Sequence, residues 1–357
     1  MHPLRLYNFP YVVQREIMDS MDLQSIFLLS ICSKRMNNLI VSVEKARFNK
    51  IKYILYKMNL GASIEAVNYD HTSEVILTMD TTMVLGIYKK KKLYISDTLI
   101  ESKWYTARRT KTAFADEVFE SVQRHSYGLF GDNKECKLDI NIYAYGFRLP
   151  KLKNVSESNI HIVPSVDGKT LDDYCSASPN KDFINLYGVK LRKLKGNSKL
   201  YDINCIHTFD DKSKLVPNLL RKFGGRHAFM RTSKLDHRDV IQFLKKWKSN
   251  ESFKKLEILQ ITLRDNSDSE PMNPVEIQNA IAIKMLSESV NSPVYNCKTR
   301  INLNPDKSRV VSFNSHQYIV REHDNRVASV VNTEREFSIG VWNLTEEQFL
   351  EKFDENN

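Results

Sequence analysis

Cys205 and His207 stand two positions apart on a β-type run, so their side chains leave the same face of a strand. A thiol beside an imidazole is the chemistry of half a metal site or of a nucleophile–base pair. No second half accompanies them in the sequence, and ordinary packing is the favoured reading. His227 and His237 read the same way. Gly224-Gly225 is one short turn without the lysine and the serine or threonine of a phosphate-binding loop. Neither H-E-x-x-H nor G-x-S-x-G occurs. The strongest electrostatic feature is Lys190-Leu191-Arg192-Lys193-Leu194-Lys195, with Lys199 beyond. Its interleaved leucines suit a surface edge better than an aromatic platform for bases. The stretch is expected to be a solvated loop or, failing that, a contact for an acidic partner or nucleic acid.

The chain that must position these groups has 357 residues and a formal charge of +10, from 53 Lys and Arg against 43 Asp and Glu. That surplus permits a nucleic-acid or acidic partner without requiring one. Hydrophobic residues at 41% and charged residues at 27% describe an ordinary globular chain with room for two or three domains. No apolar run approaches the roughly 18 residues of a membrane span. Met1 to Phe9 lacks the basic-then-apolar order of a signal peptide. The five cysteines are scattered without a C-x-x-C pair, which supports neither a disulfide framework nor a zinc ribbon. A reducing cytoplasm or nucleus is the expected setting, with no membrane partner and no cofactor.

The first 45 residues read as three short amphipathic helices. Pro10 suits a first helical turn, and Val13, Ile17 and Met21 follow as one apolar stripe. Asp22 can cap a second helix carrying Leu23, Ile26, Phe27 and Ile31. Ser33 can cap a third carrying Met36, Leu39, Ile40 and Val43. So small a unit buries little surface alone and should need a neighbour. Beyond it, Glu74 to Met79, Met83 to Tyr88 and Leu93 to Ile95 are β-rich. The Lys89 to Lys92 run belongs in a hairpin between the last two, and Phe114, Val118 and Val122 mark a helix.

From residue 137 short β-type runs recur, and aligning Ile140, Ile162, Ile184, Ile203, Phe229 and Ile258 gives a spacing that suits strand–crossover–strand units. The expectation is a mostly parallel, irregular leucine-rich-repeat-like sheet. Helices are expected at Val216 to Phe223 and Asp239 to Trp247, with a further one over Pro274 to Leu286. A doubly wound sheet is the alternative. Val310–Phe313, Gln317–Arg321, Val327–Val331 and Phe337–Trp342 are strand candidates with connections too short for crossovers, so the tail should be antiparallel. Thr345-Glu-Glu-Gln348 is a capping box opening a last helix.

Phe9-Pro10 through Ile17, Met21, Leu23, Ile26 and Cys32-Ser33-Lys34-Arg35 resembles an F-box, with Phe9 in place of the usual leucine. The rest of the chain resembles the nematode-expanded F-box family with a type-2 F-box-associated domain. The carriers are Phe243-Leu-Lys-Lys-Trp247-Lys248, Leu256-Glu257-Ile258-Leu259, and the tail from Tyr318 through Arg321 and Asp324 to Phe337–Trp342. The resemblance implies an α+β chain: an F-box over residues 3–48, a mixed connecting region over 49–136, and an associated α/β domain over 137–357. It implies a non-enzymatic substrate-recognition subunit of an SCF-type ubiquitin ligase, joined to a cullin scaffold through a Skp-family adaptor. Phe9, Pro10, Val13, Ile17, Met21, Leu23 and Phe27 are the expected adaptor contacts. Lys190, Arg192, Lys193 and Lys195 are the expected contacts for a target protein. A basic nucleic-acid-binding protein or a general interaction scaffold is the alternative, nucleic acid being the less favoured partner.

Overall fold

The computed structural model describes residues 6–59, 61–79, 91–95, 98–102, 113–142, 149–162, 166–178, 181–188, 194–210, 214–233, 235–264, 270–287, 291–300, 303 and 308–353. The chain divides into two compact units, Met1–Ser156 and Glu157–Asn357. The architecture is α+β, with helices first and a mixed α/β body after them.

In the first unit a 3-10 turn, Leu6–Asn8, leads into α1 (Tyr11–Asp19), α2 (Leu23–Cys32), α3 (Lys34–Val43) and the short α4 (Lys45–Asn49). Pro10 is the cap residue of α1 rather than its first residue. Three antiparallel strands follow: β1 (Ile51–Met58), β2 (Ala62–Asn68) and β3 (Ser73–Met79). A hairpin of β4 (Lys91–Ile95) and β5 (Thr98–Ser102) comes next, so Lys91 and Lys92 start a strand instead of a turn. Lys89, Lys90 and the expected strand from Met83 to Tyr88 lie outside the described residues. α5 (Ala113–Phe130) then crosses to β6 (Glu135–Ile142), which runs parallel to β1 and sets Ile140 beside Met58. Edge-on ring pairs hold α5 in place, Phe119 against Tyr56 of β1 at 5.4 Å and Phe130 against Phe48 of α4 at 4.9 Å.

The second unit opens with β7 (Val155–Ile162) and α6 (Gly168–Ala177), followed by β8 (Phe183–Tyr187) and β9 (Cys205–Asp210). Then come α7 (Leu215–Lys222), β10 (His227–Thr232), α8 (His237–Lys248) and β11 (Ile258–Leu263). Strands β7 to β11 lie side by side in chain order, and all are parallel. No reversal of strand order occurs, which a doubly wound sheet would need. Right-handed crossovers in one direction place the helices on one face. Arg221 of α7 pairs with Asp239 of α8 at 3.0 Å on that side.

The register corrects the alignment read from the sequence. Ser158, Ile184, Ile206, Ala228 and Leu259 are lateral partners. Ile203 precedes β9, because a 3-10 turn at Lys199–Asp202 takes up the chain there. Its side chain is fully buried, so its apolarity serves loop packing and mimicked a strand position.

The rest is antiparallel. α9 (Pro274–Ile281) ends earlier than expected, at Ala282 with φ 54°, and the chain passes into β12 (Lys284–Met285). β13 (Val294–Arg300) and β14 (Ser308–Asn314) form a separate two-stranded hairpin. β15 (Gln317–Val320), β16 (Arg326–Asn332) and β17 (Glu336–Thr345) extend the main sheet, β17 pairing with β11. α10 (Glu346–Lys352) closes the fold behind the capping box of Thr345 and Gln348.

Candidate protein-interaction surfaces

The N-terminal helices are fixed by local chemistry. The Asp22 carboxylate accepts the Ser25 N–H at 2.6 Å and caps α2; hydrogen bonding to Ser25 holds that carboxyl below its usual range. Ser33 Oγ accepts the Met36 N–H at 3.1 Å and caps α3. α2 turns Leu23, Ile26 and Phe27 inward, and all three are buried. Phe27 meets His125 of α5 edge-on at 5.2 Å, with Ser30 Oγ 2.6 Å from His125 Nε2. Burial holds His125 below the usual imidazole range. The neighbour that the small helical unit needs is thus partly its own chain. Arg47 of α4 donates to the Met21 carbonyl at 2.9 Å and pairs with Glu74 of β3.

Of the expected adaptor contacts, Leu23 and Phe27 therefore lie in the interior. Phe9, Ile17 and Met21 are half-buried, and Pro10 and Val13 are exposed. The buried side of α1 is Gln14 and Met18, one position over from the apolar stripe. Gln14 can be buried because its amide donates to the Phe9 carbonyl at 2.8 Å. Sequence reading missed the most exposed apolar residues of these helices: Val12 at 68%, Tyr11 at 55% and Leu28 at 41%. A groove of about 370 Å³, lined by Tyr11, Arg15, Asp19, Glu44 and Arg47 among others, runs beside α1. Glu44 is buried there, and burial raises its carboxyl above the usual range.

In the second unit the faces of the parallel sheet differ. On the helix side Ile160, Ile184, Leu186, Ile206, Thr208, Ala228, Met230, Leu259 and Ile261 are all buried. On the other side the residues between them, Asn159, His161, Asn185, Tyr187, His207, Phe209, Phe229 and Arg231, are half-buried or exposed. The β13–β14 hairpin covers the start of this open face, where Tyr295 and Cys297 pack on Ile258. Tyr295 lies over Gly340, which has no side chain to obstruct it, and its hydroxyl donates to the Glu257 carbonyl at 2.8 Å.

One residue cluster under the hairpin has metal-ligand chemistry. His227, Glu257 and Cys297 bring their donor atoms within 4.8 Å of one another. His227 Nε2 is 2.9 Å from a Glu257 oxygen and 3.6 Å from Cys297 Sγ, while Thr299 Oγ1 holds Nδ1 at 3.1 Å. Arg226 pairs with the other Glu257 oxygen. Glu257 is thus held by the Arg226 guanidinium and the His227 ring, and burial pushes the Cys297 thiol up to about 11. The cluster ties β13 to the starts of β10 and β11. His227 was expected to be structural, and these contacts give it such a role. Cys205 is likewise buried, its thiol pushed up to about 12, with Thr299 Oγ1 at 3.6 Å.

Among the expected target contacts, Lys190, Arg192 and Lys193 lie outside the described residues. Lys195 is exposed; its backbone N–H donates to Asp172 at 3.1 Å, and its ammonium stands 3.8 Å from Asp173. No helix among the described residues is long and apolar enough to cross a membrane.

Residues 6–48 match the F-box domain family. That span holds the opening 3-10 turn, α1, α2, α3 and most of α4. The match supports an F-box protein and suggests a substrate-adaptor role in an SCF complex. No curated protein and no solved structure matches the chain.

Proposed function

We propose that this chain is the substrate-recognition subunit of an SCF-type ubiquitin ligase. Its F-box helices bind a Skp-family adaptor and, through it, the cullin scaffold; its second unit holds a target protein. The observation that carries this reading is the F-box match over helices that leave Pro10, Tyr11, Val12 and Val13 together at the surface. A contiguous exposed apolar patch marks an interaction site. In this reading Phe9, Pro10, Val13, Ile17 and Met21 meet the adaptor together with Tyr11, Val12 and Leu28. Leu23 and Phe27 hold the platform from inside. The chain does no chemistry itself and acts by raising the effective concentration of the target near a ubiquitin-charged enzyme, in the cytoplasm or nucleus.

The body is assigned, as part of the same proposal, to the type-2 F-box-associated domain of the nematode-type family. Support comes from the packing of the motif residues on one another. Phe243 of α8 lies 6.2 Å from Phe337 of β17, and the Arg321 guanidinium stands 5.3 Å over Trp247.

The test is affinity capture of the full chain with a Skp-family adaptor, comparing Val12→Asp with Leu28→Asp and the pair. Both positions are exposed, so the fold should survive. Capture should fall about tenfold or more for the pair, since central apolar anchors carry most interface energy. A wild-type chain that captures no adaptor would overturn the reading.

A further inference from the structure

The open face of the parallel sheet carries a ladder of rings and guanidinium groups running across four strands. His161 of β7, Tyr187 of β8, Phe209 of β9 and Arg231 of β10 are successive lateral partners. The His161 and Tyr187 rings are 4.1 Å apart, edge to face. Tyr187 and Phe209 are stacked at 4.7 Å with planes 18° apart. Two cations then close on Phe209, Arg231 at 5.2 Å and Arg264 at 4.8 Å from its centroid.

Among the described residues, the side chains of this row stay half-buried or exposed. The hairpin packs over the strand starts, at Cys205, His227 and Ile258, whereas the ladder lies toward the strand ends. Tyr187 remains 39% exposed and Arg231 is exposed, although both alternate with fully buried neighbours on their strands. The one described carboxylate in the same row, Glu336 opposite Thr262, already accepts from Gln260 at 2.9 Å and from Ser338. Among the described residues of this row, the exposed chemistry is therefore aromatic and cationic.

We infer that this ladder is a binding site for an acidic segment of a target protein that carries an aromatic side chain. The aromatic ring stacks on Tyr187, and flanking carboxylates meet Arg231. Charge complementarity selects the partner: two guanidinium groups already oriented over a ring, on a chain of net charge +10, favour carboxylates over ammonium groups. The inference rests on the proposal that the second unit holds the target, and supplies the surface and the chemistry.

The probe is a fluorescein-labelled random copolymer of glutamate and tyrosine, read by anisotropy with the purified full chain. Polyglutamate and a lysine–tyrosine copolymer are the comparators. The glutamate–tyrosine copolymer should bind best, and added salt should weaken it. Tyr187→Ala and Arg231→Glu should each weaken it about tenfold, while Tyr187→Phe stays within about twofold, because stacking and charge act separately. Arg231 is exposed, so its variant reports binding even where Tyr187→Ala disturbs the fold. The inference fails if the copolymer does not bind, or if polyglutamate binds equally well. It also fails if Arg231→Glu and a folded Tyr187→Ala leave affinity unchanged; the ladder is then only a cross-strand support. If a single-stranded homopolymeric RNA displaces the copolymer and responds more strongly to both variants, the site belongs to nucleic acid and the peptide assignment is wrong. Adaptor capture, run in parallel, separates the two levels. Retained capture without copolymer binding overturns the ladder alone. Copolymer binding that depends on Tyr187 and Arg231, without capture, overturns the ligase reading and leaves the ladder standing.

Discussion

His207 should make the second unit acid-sensitive, and the size of the effect follows from its surroundings. The ring lies 5.3 Å from Phe183 and 4.7 Å from Phe229. Burial pulls its pKa from 6.5 to about 4; a hydrogen bond with the Arg300 backbone opposes this, and the nearby His227 adds to it. The folded chain therefore binds this proton less readily than the unfolded chain, so stability falls as pH falls from 6.5 towards 4 and is flat below. At about 1.4 kcal/mol per unit the total loss is about 3 kcal/mol, of which about 2 kcal/mol is already lost at pH 5. The assay is equilibrium urea unfolding from pH 8 to pH 5, read by tryptophan fluorescence, since Trp247 and Trp342 both lie in the second unit. His125 and His161 are also held below the usual range by burial and add to the slope of the wild-type curve. The difference between wild type and His207→Gln removes their part. That difference should shrink or reverse by about 2 kcal/mol between pH 8 and pH 5. Parallel curves for the two proteins would refute the reasoning, because they would mean that solvent reaches the His207 ring.

Two further outcomes are expected. Gly340→Ala would drive a methyl group into the Tyr295 ring, two of whose carbons stand 2.6 Å from a Cβ at that position and a third closer still. It should cost about 1–3 kcal/mol, measured by urea unfolding; adding Tyr295→Ala should give less than the sum of the single changes, and additivity would show that the ring does not rest on the glycine. Reversing Lys190, Arg192, Lys193 and Lys195 to Glu should leave adaptor capture intact and weaken target capture, more so at low salt where exposed charges are less screened; capture of the same partners at the same yield would mark the stretch as a solvated loop.

Helix caps and the strand–crossover spacing were legible in the sequence because each has a local cause. Asp22, Ser33 and the Thr345–Gln348 box stand where expected, since a side-chain oxygen can bond only the backbone N–H groups that follow it. The tight connection at Asp324-Asn325 is likewise local: Asn325 takes φ 53°, and Asp324 bonds Arg321 in a paired contact at 2.8 and 2.6 Å. What escaped was decided by tertiary packing. β1 and β2 carry no clear period in the sequence, because β1 runs apolar from Tyr53 to Tyr56 and its buried positions change phase between Tyr53 and Ile54. The need for Gly224-Gly225 is spatial: a Cβ on Gly225 would collide with the Ile203 carbonyl and the Phe223 ring.

The division of each surface into buried and open halves was beyond the sequence for the same reason. Leu23 and Tyr11 are both apolar and sit near helix starts, yet one is 1% exposed and the other 55%. The difference is tertiary: α3 and β3 pack against α2, and His125 of α5, far along the chain, meets Phe27. In the second unit the repeat spacing set Ile184 and Ile206 facing the helices. Three residues further on, it set Tyr187 and Phe209 on the opposite face. The same spacing therefore builds both the core and the ladder. The core row is recognisable by its apolar residues, whereas the ladder mixes His, Tyr, Phe and Arg and has no compositional signature. Only the lateral register, which makes neighbours of residues some twenty positions apart, reveals it as one surface.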